Sequence, residues 1–487
     1  MKRTTLFTVV LFLLAGCSLD INHNPNKPEE VTPRLLFPAI ENAVATAIGG
    51  EIFNYAGFFC QYYDQLPLSN QYNALVEYNI QEQDKLIDHA YATFYSDALM
   101  DVEKMKELSS NPADLFATSV LRVQCLLVMA DNTGEAPYKE ACKGERYPMP
   151  HWDKGEDVYK GLLVELDSAE SLVGQSEMEC PDLLLNKDME QWRGYANALR
   201  LRMYLRFVDA GKETEHYTEK IKELVSGNRF FKGNIKLDVY KDDQGKMNPF
   251  YTLRSILRTE NHCGSLPLVS YQKKTSDPRI AYGFKKAEKT NTFEGLIPGS
   301  KRPLQNIVSY TDVSKLIYKP TQPVFFFTQA ELLFLKAEVC LRFLSDEPTA
   351  KSCYEAAIKE DFDTREIEGA ENFLKGANVA WEKAGGIKEK LERIYMQKWV
   401  ALFYMDHMEA WSEIRRTDVP AISTMQAQEI YKNPATYRAG DRIVPWNNML
   451  GGTRMVVRVP YPQKARQLNS NTPAAKPLDH PLWWDVK

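Results

Sequence analysis

The stretch DMEQWRGYANALRLRMYLRFVD, residues 188–209, decides the local fold of the chain. Its apolar residues recur at steps of three and four, the spacing that places side chains on one face of an α-helix: Trp192, Tyr195, Leu199, Met203 and Phe207. Asp188 suits the N-cap position, and Gly211 stands where a helix typically ends. We therefore predict a long helix whose apolar face packs into the interior of the protein.

Similar helical patterns flank this stretch on both sides and come in pairs. They cover residues 33–48, 83–108, 112–130, 153–172, 217–225, 328–343, 349–360 and 386–404, and a segment around Trp411. The predicted N-caps of four of these helices are Thr32, Asn111, Asp153 and Thr328. Pairs of about 30 to 40 residues, in which neighbours bury one another's apolar faces, are typical of tetratricopeptide-like proteins. The predicted fold class is mainly α, with stacked helix pairs in a right-handed superhelix, although the usual W…LG…Y repeat consensus is absent.

Three segments interrupt the helical pattern. Residues 66–80, 228–326 and 420–487 are irregular and carry no long helical period. Irregular segments of this length within a helical protein usually carry function or a partner surface. We predict one domain over residues 33–487, in which these three inserts form the ligand side.

The N-terminus has the order of a secretory signal peptide. Met1-Lys2-Arg3 is basic, residues 6–14 are apolar, and Ala15-Gly16 precede Cys17. The apolar run is shorter than the roughly 20 residues that a membrane-spanning helix needs. A cysteine directly after Ala-Gly resembles the lipobox of bacterial lipoproteins. The resemblance implies a signal peptide over residues 1–16 and lipid attachment at Cys17, and the alternative is an ordinary secreted protein with a chance cysteine.

Residues 17–32 lack any helical or strand period and are rich in Pro and Asn. Such a segment is typical of a flexible tether, here between the lipid and the folded body. Each buried methylene of an acyl chain contributes about 0.8 kcal/mol to membrane binding, so a stable anchor takes at least two chains, such as palmitate. We therefore predict a protein anchored to a membrane by the lipid on Cys17.

Charge and cysteine content exclude further classes of protein. The 487 residues carry a net charge of −5, which argues against nucleic acid as a partner. Seven cysteines besides Cys17 are an odd number, so at least one thiol stays free. No spacing among them is typical of zinc sites. A disulfide is permitted, for example between Cys142 and Cys180, but the sequence does not assign one.

No motif points to catalysis or to metal binding. The chain lacks a P-loop, a nucleophile elbow and an H-E-x-x-H motif. Asp406, His407 and Glu409 are residue types that bind metal ions, but no second histidine follows at helical spacing. Arg415-Arg416-Thr417 follows a predicted helix, where cations stabilise the helix dipole. We therefore predict no catalytic residue, no metal ligand and no cofactor.

Candidate ligand-binding residues are aromatic residues in polar, irregular segments. The apolar face of a sugar ring packs on an aromatic ring, while side-chain amides bond its hydroxyls. The residues that fit are Asn70, Tyr72 and Asn73, then Tyr310, and then Trp446 with Asn447 and Asn448. The alternative is that these side chains only pin their loops to the body of the protein.

Motifs along the chain resemble those of the SusD/RagB family of outer-membrane lipoproteins. DNTGEAPY at 131–138 resembles the family's D-x-x-G-x-x-P-Y turn, and residues 188–209 resemble its W-x-x-x-A-N-S-L-x-L-R helix, with Ala198 in the Ser position. Further matches follow in the family's order: Asp277-Pro278-Arg279, Thr328–Glu338, Gln397-Lys398-Trp399, Glu409-Ala410-Trp411, Arg415-Arg416-Thr417, and Arg458–Pro462 with Asn469. Asp418 stands where the family usually has Gly, and Ala465 where it has Glu. These departures affect the expected geometry of local turns, not the resemblance itself.

The resemblance implies a lipoprotein of the outer membrane that faces the cell exterior. It implies binding of a nutrient, usually a glycan or oligosaccharide and sometimes a peptide, without enzymatic activity. It also implies a SusC-like TonB-dependent transporter as partner, for which such proteins form a lid. Two alternatives stay open: a helical-repeat scaffold lipoprotein that organises envelope proteins, and a surface glycosidase.

Replacing the predicted lipid-bearing residue tests the anchor. We expect Cys17→Ser to move the protein from the membrane fraction to the soluble fraction, because acylation needs the sulfur atom. Folding should be unchanged, as measured by circular dichroism, since Cys17 precedes the tether and the core. Retention in the membrane fraction, in cells that lack a partner barrel, would contradict lipid attachment.

Overall fold

A computed structural model describes residues 31–257 and 259–486 of the chain. Cys17, the predicted signal peptide and nearly all of the predicted tether lie outside the described residues. The described part begins with two consecutive apolar helices, α1 (Pro33–Gly49) and α2 (Glu51–Phe59). Proline in the first turn has a backbone angle that already suits a helix, which accounts for the start of α1 at Pro33.

The remaining helices follow in chain order. In the first half they are α3 (Asn73–Val76), α4 (Asp88–Ala92), α5 (Leu99–Leu108), α6 (Pro112–Thr133), α7 (Gly155–Val173), α8 (Met189–Asp209) and α9 (Thr214–Gly227). In the second half they are α10 (Pro249–Leu257), α11 (Leu266–Lys274), α12 (Ile280–Gly283), α13 (Gln329–Arg342), α14 (Glu347–Thr364), α15 (Ala370–Phe373), α16 (Ile387–Leu402), α17 (His407–Thr417), α18 (Ala427–Lys432) and α19 (Gln463–Leu468). A π-helical turn, Thr93–Ala98, joins α4 to α5.

Short strands between the helices form two-stranded pairs. They are β1 (Tyr63–Gln65), β2 (Glu135–Pro137), β3 (Trp152–Lys154), β4 (Ile235–Leu237), β5 (His262–Gly264) and β6 (Val324–Phe327). β1 pairs with β5, β2 with β3 and β4 with β6, each antiparallel. The β1–β5 pairing therefore holds residues 228–326 against the rest of the chain, and the β4–β6 pairing joins the two ends of that segment.

Consecutive helices pack on each other as the sequence predicts. α6 packs on α7, α8 on α9, α13 on α14, and α16 on α17. Each pair also contacts the next, through α6 with α8, α9 with α13, and α13 with α16. The predicted fold class, mainly α with stacked helix pairs of the tetratricopeptide type, is confirmed.

Within the part of the chain that the structure describes, two helical stretches are long and apolar enough to cross a membrane, Pro33–Phe59 and Pro112–Thr133. Their most apolar windows are 67% and 94% buried inside the protein. Apolar side chains buried to this extent contribute to the core, because the hydrophobic effect scales with the area removed from water. Both stretches therefore serve here as core helices.

Helix α8 has the boundaries that its sequence predicts. The carboxylate of Asp188 accepts hydrogen bonds from the backbone N–H groups of Glu190 and Gln191, at 2.9 and 3.2 Å. Gly194 lets α8 approach the chain at Phe231 closely, since a Cβ atom there would lie 2.1 Å from the Phe231 backbone nitrogen. The helix is buried on more than one face, which the apolar stripe alone does not indicate.

The additional buried face of α8 consists of arginines with carboxylate partners. Arg202 donates to both carboxylate oxygens of Glu331 on α13, at 2.7 and 2.6 Å. Arg206 donates to Asp131 on α6 at 2.5 Å and to Glu409 on α17 at 2.6 Å. Because neither arginine is more than 3% exposed, these carboxylates are needed to offset the cost of burying each guanidinium charge.

The predicted helix-end cations, Arg415 and Arg416, lie in the last turn of α17 and are buried. Arg416 bonds both carboxylate oxygens of Glu338, at 2.8 and 2.7 Å, and Asp209 at 2.5 Å. Arg415 donates to the backbone oxygens of Asp131 and Val457. Their role is structural, as predicted, but it works through buried partners on other elements.

Two predicted helix caps differ from the structure. Thr32 occupies the N-cap position of α1 without a side-chain hydrogen bond. Asp153 does not cap α7, because it lies in β3, where its carboxylate accepts the backbone N–H of Lys139 at 3.0 Å. Lys154 occupies the N-cap position of α7 in its place. The pairing of β3 with β2 thus overrides the local capping pattern.

Replacing Arg206 tests how much the helix stack depends on its buried ion pairs. We expect Arg206→Leu to lower the free energy of unfolding by about 3–5 kcal/mol, because it leaves Asp131 and Glu409 buried without their cation. Denaturant unfolding followed by circular dichroism measures the loss. Arg193→Leu on the same helix is the control, with a loss of about 1 kcal/mol or less, since Arg193 is partly exposed. Equal losses in the two variants would contradict the role of Arg206.

Candidate functional site

The first and second irregular segments meet where β1 pairs with β5. Gln65 stands opposite His262 in this pairing, and the backbone N–H of Leu66 donates to the carbonyl oxygen of Asn261 at 2.9 Å. The loop that begins at Leu66 therefore starts from a fixed position against the second segment. It carries the candidate residues Asn70, Tyr72 and Asn73.

Lys301 holds this loop in its conformation. Its ammonium group donates to the side-chain oxygens of Asn70 and Asn73, at 2.5 and 3.2 Å, and to the carbonyl oxygen of Ser69. Asn73 also donates to Asn70 at 3.3 Å. Burial lowers the pKa of Lys301. The structure thus places the two predicted asparagines where they shape the loop, and their side-chain oxygens face the lysine.

Tyr72 lines a groove of about 480 Å³. Its ring is half-buried and packs against Phe58 and His262, with ring centroids 5.2 and 5.0 Å apart. The other side chains along the groove are Glu51, Asn54, Tyr55, Gln71, Ala74, Leu75, Ile80, Asp84, Lys85, Leu86 and Leu253. The groove thus combines aromatic and aliphatic surface with amide and carboxyl groups. We call it the Tyr72 groove.

A chain of hydrogen bonds fixes the inner wall of the Tyr72 groove. Nε2 of His262 lies 2.8 Å from the side-chain oxygen of Asn54, and Nδ1 accepts from the hydroxyl of Tyr318. Burial lowers the pKa of His262 to about 3, so the ring is neutral. Burial also raises the pKa of Tyr72 to about 12, against a smaller opposing effect of a hydrogen bond from Asn54. Tyr72 therefore presents a neutral phenol at physiological pH.

Glu51 is the carboxyl group with the most perturbed pKa in the Tyr72 groove. Burial raises its pKa to about 7, although one carboxylate oxygen accepts the backbone N–H of Ala90 at 3.0 Å. Asp88 adds a smaller repulsive contribution in the same direction. Near neutral pH, Glu51 can therefore accept or donate a hydrogen bond.

The third irregular segment joins the same region through Glu77. The side-chain nitrogen of Asn447 lies 3.5 Å from one carboxylate oxygen of Glu77, and Arg302 lies 3.2 Å from the other. The backbone N–H of Met449 donates to the Glu77 carbonyl oxygen at 2.9 Å. Asn447 thus lies near the candidate loop, with its amide directed at a protein carboxylate.

Tyr310 and Trp446 lie outside the residues that line the Tyr72 groove. Tyr310 is 40% exposed, with the ammonium group of Lys315 at 4.7 Å from its ring centroid. The Trp446 ring packs edge-on against Tyr431, and its backbone N–H donates to Pro298 at 2.9 Å. Trp446 therefore fits the alternative in which an aromatic residue pins its loop to the body.

Sequence reasoning missed Glu51, Asn54, His262 and Lys301. The sequence could have indicated Asn54, because it is a polar residue inside the apolar helix EIFNYAGFF. No sequence pattern indicates Lys301, since its hydrogen bond to Asn70 spans 231 positions. Only the tertiary structure brings these residues to one place.

The residues considered and rejected as metal ligands, Asp406, His407 and Glu409, have structural partners. The carboxylate of Asp406 caps α17, Nδ1 of His407 lies 2.9 Å from the carbonyl oxygen of Phe53, and Glu409 pairs with Arg206. Across residues 31–257 and 259–486, no group of three or more His, Cys, Asp or Glu side chains could hold a metal ion.

The cysteines of the described chain are free thiols. Cys142 and Cys180, for which a bridge was considered, are both free, and each thiol has its own hydrogen-bond acceptor. Cys142 donates to the carbonyl oxygen of Tyr95 at 3.4 Å, and Cys180 donates to the carboxylate of Asp114 at 3.2 Å.

Residues 25–439 match a family model named SusD-like, described as "Starch-binding associating with outer membrane". Comparison with curated proteins finds no match. The family match covers the helix pairs and all of the residues that line the Tyr72 groove.

Solved structures share the fold along nearly the whole chain. A chitin-binding SusD homologue from Flavobacterium johnsoniae has a TM-score of 0.75 at 22% identity, covering 93% of this chain and 98% of that chain. A SusD homologue from Bacteroides fragilis has a TM-score of 0.72 at 20% identity, covering 94% and 100%. A SusD homologue from Bacteroides uniformis has a TM-score of 0.70 at 19% identity, covering 93% and 99%.

Replacing Glu51 tests the electrostatics of the groove through pH dependence. In the folded protein the pKa of Glu51 is raised from 4.5 to about 7, so the folded state holds this proton more tightly than the unfolded state. Its contribution to stability is therefore full below pH 4.5 and is lost as pH rises to about 7.

Glu51→Gln keeps the acceptor for Ala90 and has no proton to lose. We expect its melting temperature to rise relative to the wild type as pH increases from 4.5 to 7, and the difference to level off above that range. Glu215→Gln removes an exposed carboxylate and controls for the change in net charge. A difference between Glu51→Gln and the wild type that is constant with pH would contradict the assignment.

Proposed function

Because this chain belongs to the SusD-like family, we propose that it is a glycan-binding lipoprotein of the outer membrane. The observation that carries the proposal is the Tyr72 groove, where one half-buried aromatic ring stands beside amide and carboxyl side chains. This combination matches a sugar, which has an apolar ring face and a rim of hydroxyl groups.

Binding in the Tyr72 groove would use a largely preformed surface. The sugar ring packs on Tyr72, while the exposed Gln71 offers a hydrogen-bond donor and acceptor to the hydroxyls. Lys301 and the His262 hydrogen bonds hold the walls before the ligand arrives, which reduces the entropy lost on binding. Capture of this kind needs no cofactor.

Oligosaccharide is the favoured ligand class over peptide. The family description names starch, and the similar Flavobacterium johnsoniae structure is that of a chitin-binding protein. The volume of the groove, about 480 Å³, lies in the range of small-molecule sites. We propose binding without catalysis, because Asp406, His407 and Glu409 are engaged in structural contacts.

The partner that we propose is a SusC-like TonB-dependent transporter, to which the protein delivers its glycan. The family description, association with the outer membrane, and the lipobox-like sequence at Cys17 support this arrangement. A lid tied to the same membrane by a short tether stays at high effective concentration near its barrel, even while it opens. The proposed orientation is toward the cell exterior, where nutrient glycans arrive.

Replacing Tyr72 tests the proposed function. We expect Tyr72→Ala to weaken binding of oligosaccharides about tenfold, because the packing surface for the sugar ring is lost. Isothermal titration calorimetry measures the affinity for oligosaccharides derived from starch, chitin and xylan. Melting temperature checks that the variant is folded.

Tyr310→Ala is the matched control, because Tyr310 is an aromatic residue of an irregular segment outside the groove. Its affinities should equal those of the wild type. If the wild type binds none of these glycans, the proposed function is wrong. If Tyr310→Ala weakens binding and Tyr72→Ala does not, the site is placed wrongly.

A further inference from the structure

A second groove, of about 560 Å³, adjoins the Tyr72 groove. Ile80 lines both grooves, so they share a wall. Four cationic side chains line the second one: Arg454, Arg458, Arg466 and Lys476. We call it the basic groove. Such a concentration of positive charge is notable in a chain whose net charge is −5.

Carboxylates only partly neutralise these cations. Asp479 lies 3.3 Å from Arg454, and Glu82 lies 2.5 Å from Arg466, and both acids line the basic groove. Arg458 and Lys476 share a third acid, Glu135, which is absent from the groove lining. Four cations thus face three carboxylates, which leaves one positive charge in excess.

Two of the cations, although paired, are accessible to a ligand from solution. The side chain of Arg454 is 57% exposed, and that of Lys476 is 33% exposed. Exposed ion pairs contribute only about 0–1 kcal/mol to stability. Arg454 can therefore bind an incoming anion alongside Asp479, or in its place, at little cost. Arg458 is fixed by hydrogen bonds to Thr133 and Tyr461, and it contributes charge from the wall.

We propose that the basic groove binds the acidic groups of an anionic oligosaccharide whose neighbouring sugars occupy the Tyr72 groove. The inference rests on the proposed function, since it takes the two neighbouring grooves, which share the lining residue Ile80, as the sites of one glycan chain. Guanidinium groups form paired, charge-assisted hydrogen bonds with planar carboxylates and with sulfate oxygens. The acidic group is therefore the carboxylate of a uronic acid or a sulfate ester.

Matched pairs of glycans test the inference and distinguish the two acids. One pair is tetragalacturonate and its methyl ester, and the other is a dextran oligosaccharide with and without sulfate. Each pair keeps its backbone and changes its charge. We expect the wild type to bind the charged member of at least one pair about tenfold more tightly, and to lose this preference at about 0.5 M salt.

The variant is Arg454→Gln with Lys476→Gln, which removes the two exposed cations. We expect it to bind the charged and neutral members equally, with a melting temperature close to that of the wild type. Lys388→Gln is the control, because Lys388 is an exposed cation outside the residues that line the basic groove. It should keep the preference for the charged glycan.

The outcomes distinguish failure of the acidic subsite from failure of the proposed glycan-binding function. A preference in one pair only identifies that acid as the ligand group. Equal affinity for both members of both pairs, or a preference that survives in the double variant, overturns the acidic subsite and leaves glycan binding in place. Binding of none of these glycans, nor of the starch, chitin and xylan oligosaccharides, overturns the proposed function and the inference with it.

Discussion

The structure depends on the two ion pairs of Arg206 in the interior of the helix stack. This guanidinium on α8 meets Asp131 on α6 and Glu409 on α17, so it joins three helices that are distant in sequence. A fully buried cation is tolerated only when its acids are held at the right distance, which restricts how the helices can pack. α17 extends this constraint through Arg415, which bonds Val457 in the C-terminal segment.

The rigid scaffold continues into the candidate site through α2. This helix packs on α17, where Nδ1 of His407 lies 2.9 Å from the carbonyl oxygen of Phe53, and it presents Glu51 and Asn54 to the Tyr72 groove. One wall of the groove is therefore part of the helical core. The opposite wall is a loop, and its variation could change ligand preference without disturbing the scaffold.

The sequence predicted what is local in this fold. The period of residues 188–209 gave α8, and the side chains of Asn111, Asp188 and Thr328 cap helices where expected. Asp153 was assigned wrongly, because strand pairing competes with capping at that position and the competing partner is distant in sequence. The partners of Arg206 could not be predicted either, since a helical pattern indicates that a residue is buried but not which residues it contacts.

Prediction of the candidate binding site is limited in the same way, because the sequence does not show which residues the fold brings together. Tyr72 was a candidate because it is an aromatic residue in a polar, irregular segment, and the structure places it in the lining of a groove. Trp446 met the same criterion, yet the structure packs it on Tyr431 away from that groove. Local composition therefore identifies candidate aromatics, whereas the tertiary fold decides which of them faces a cavity.

The Lys301 contact with the candidate loop has a consequence for how the protein is made. The bond from Lys301 to Asn70 spans 231 positions, and that from Asn447 to Glu77 spans 370. Contacts between such distant residues form slowly, because a long stretch of chain must first be brought together. The ribosome completes the helix pairs α6–α7 and α8–α9 long before it reaches residue 447. A chain cut short near its C-terminus could thus keep much of its helical content while its binding surface stays unfinished.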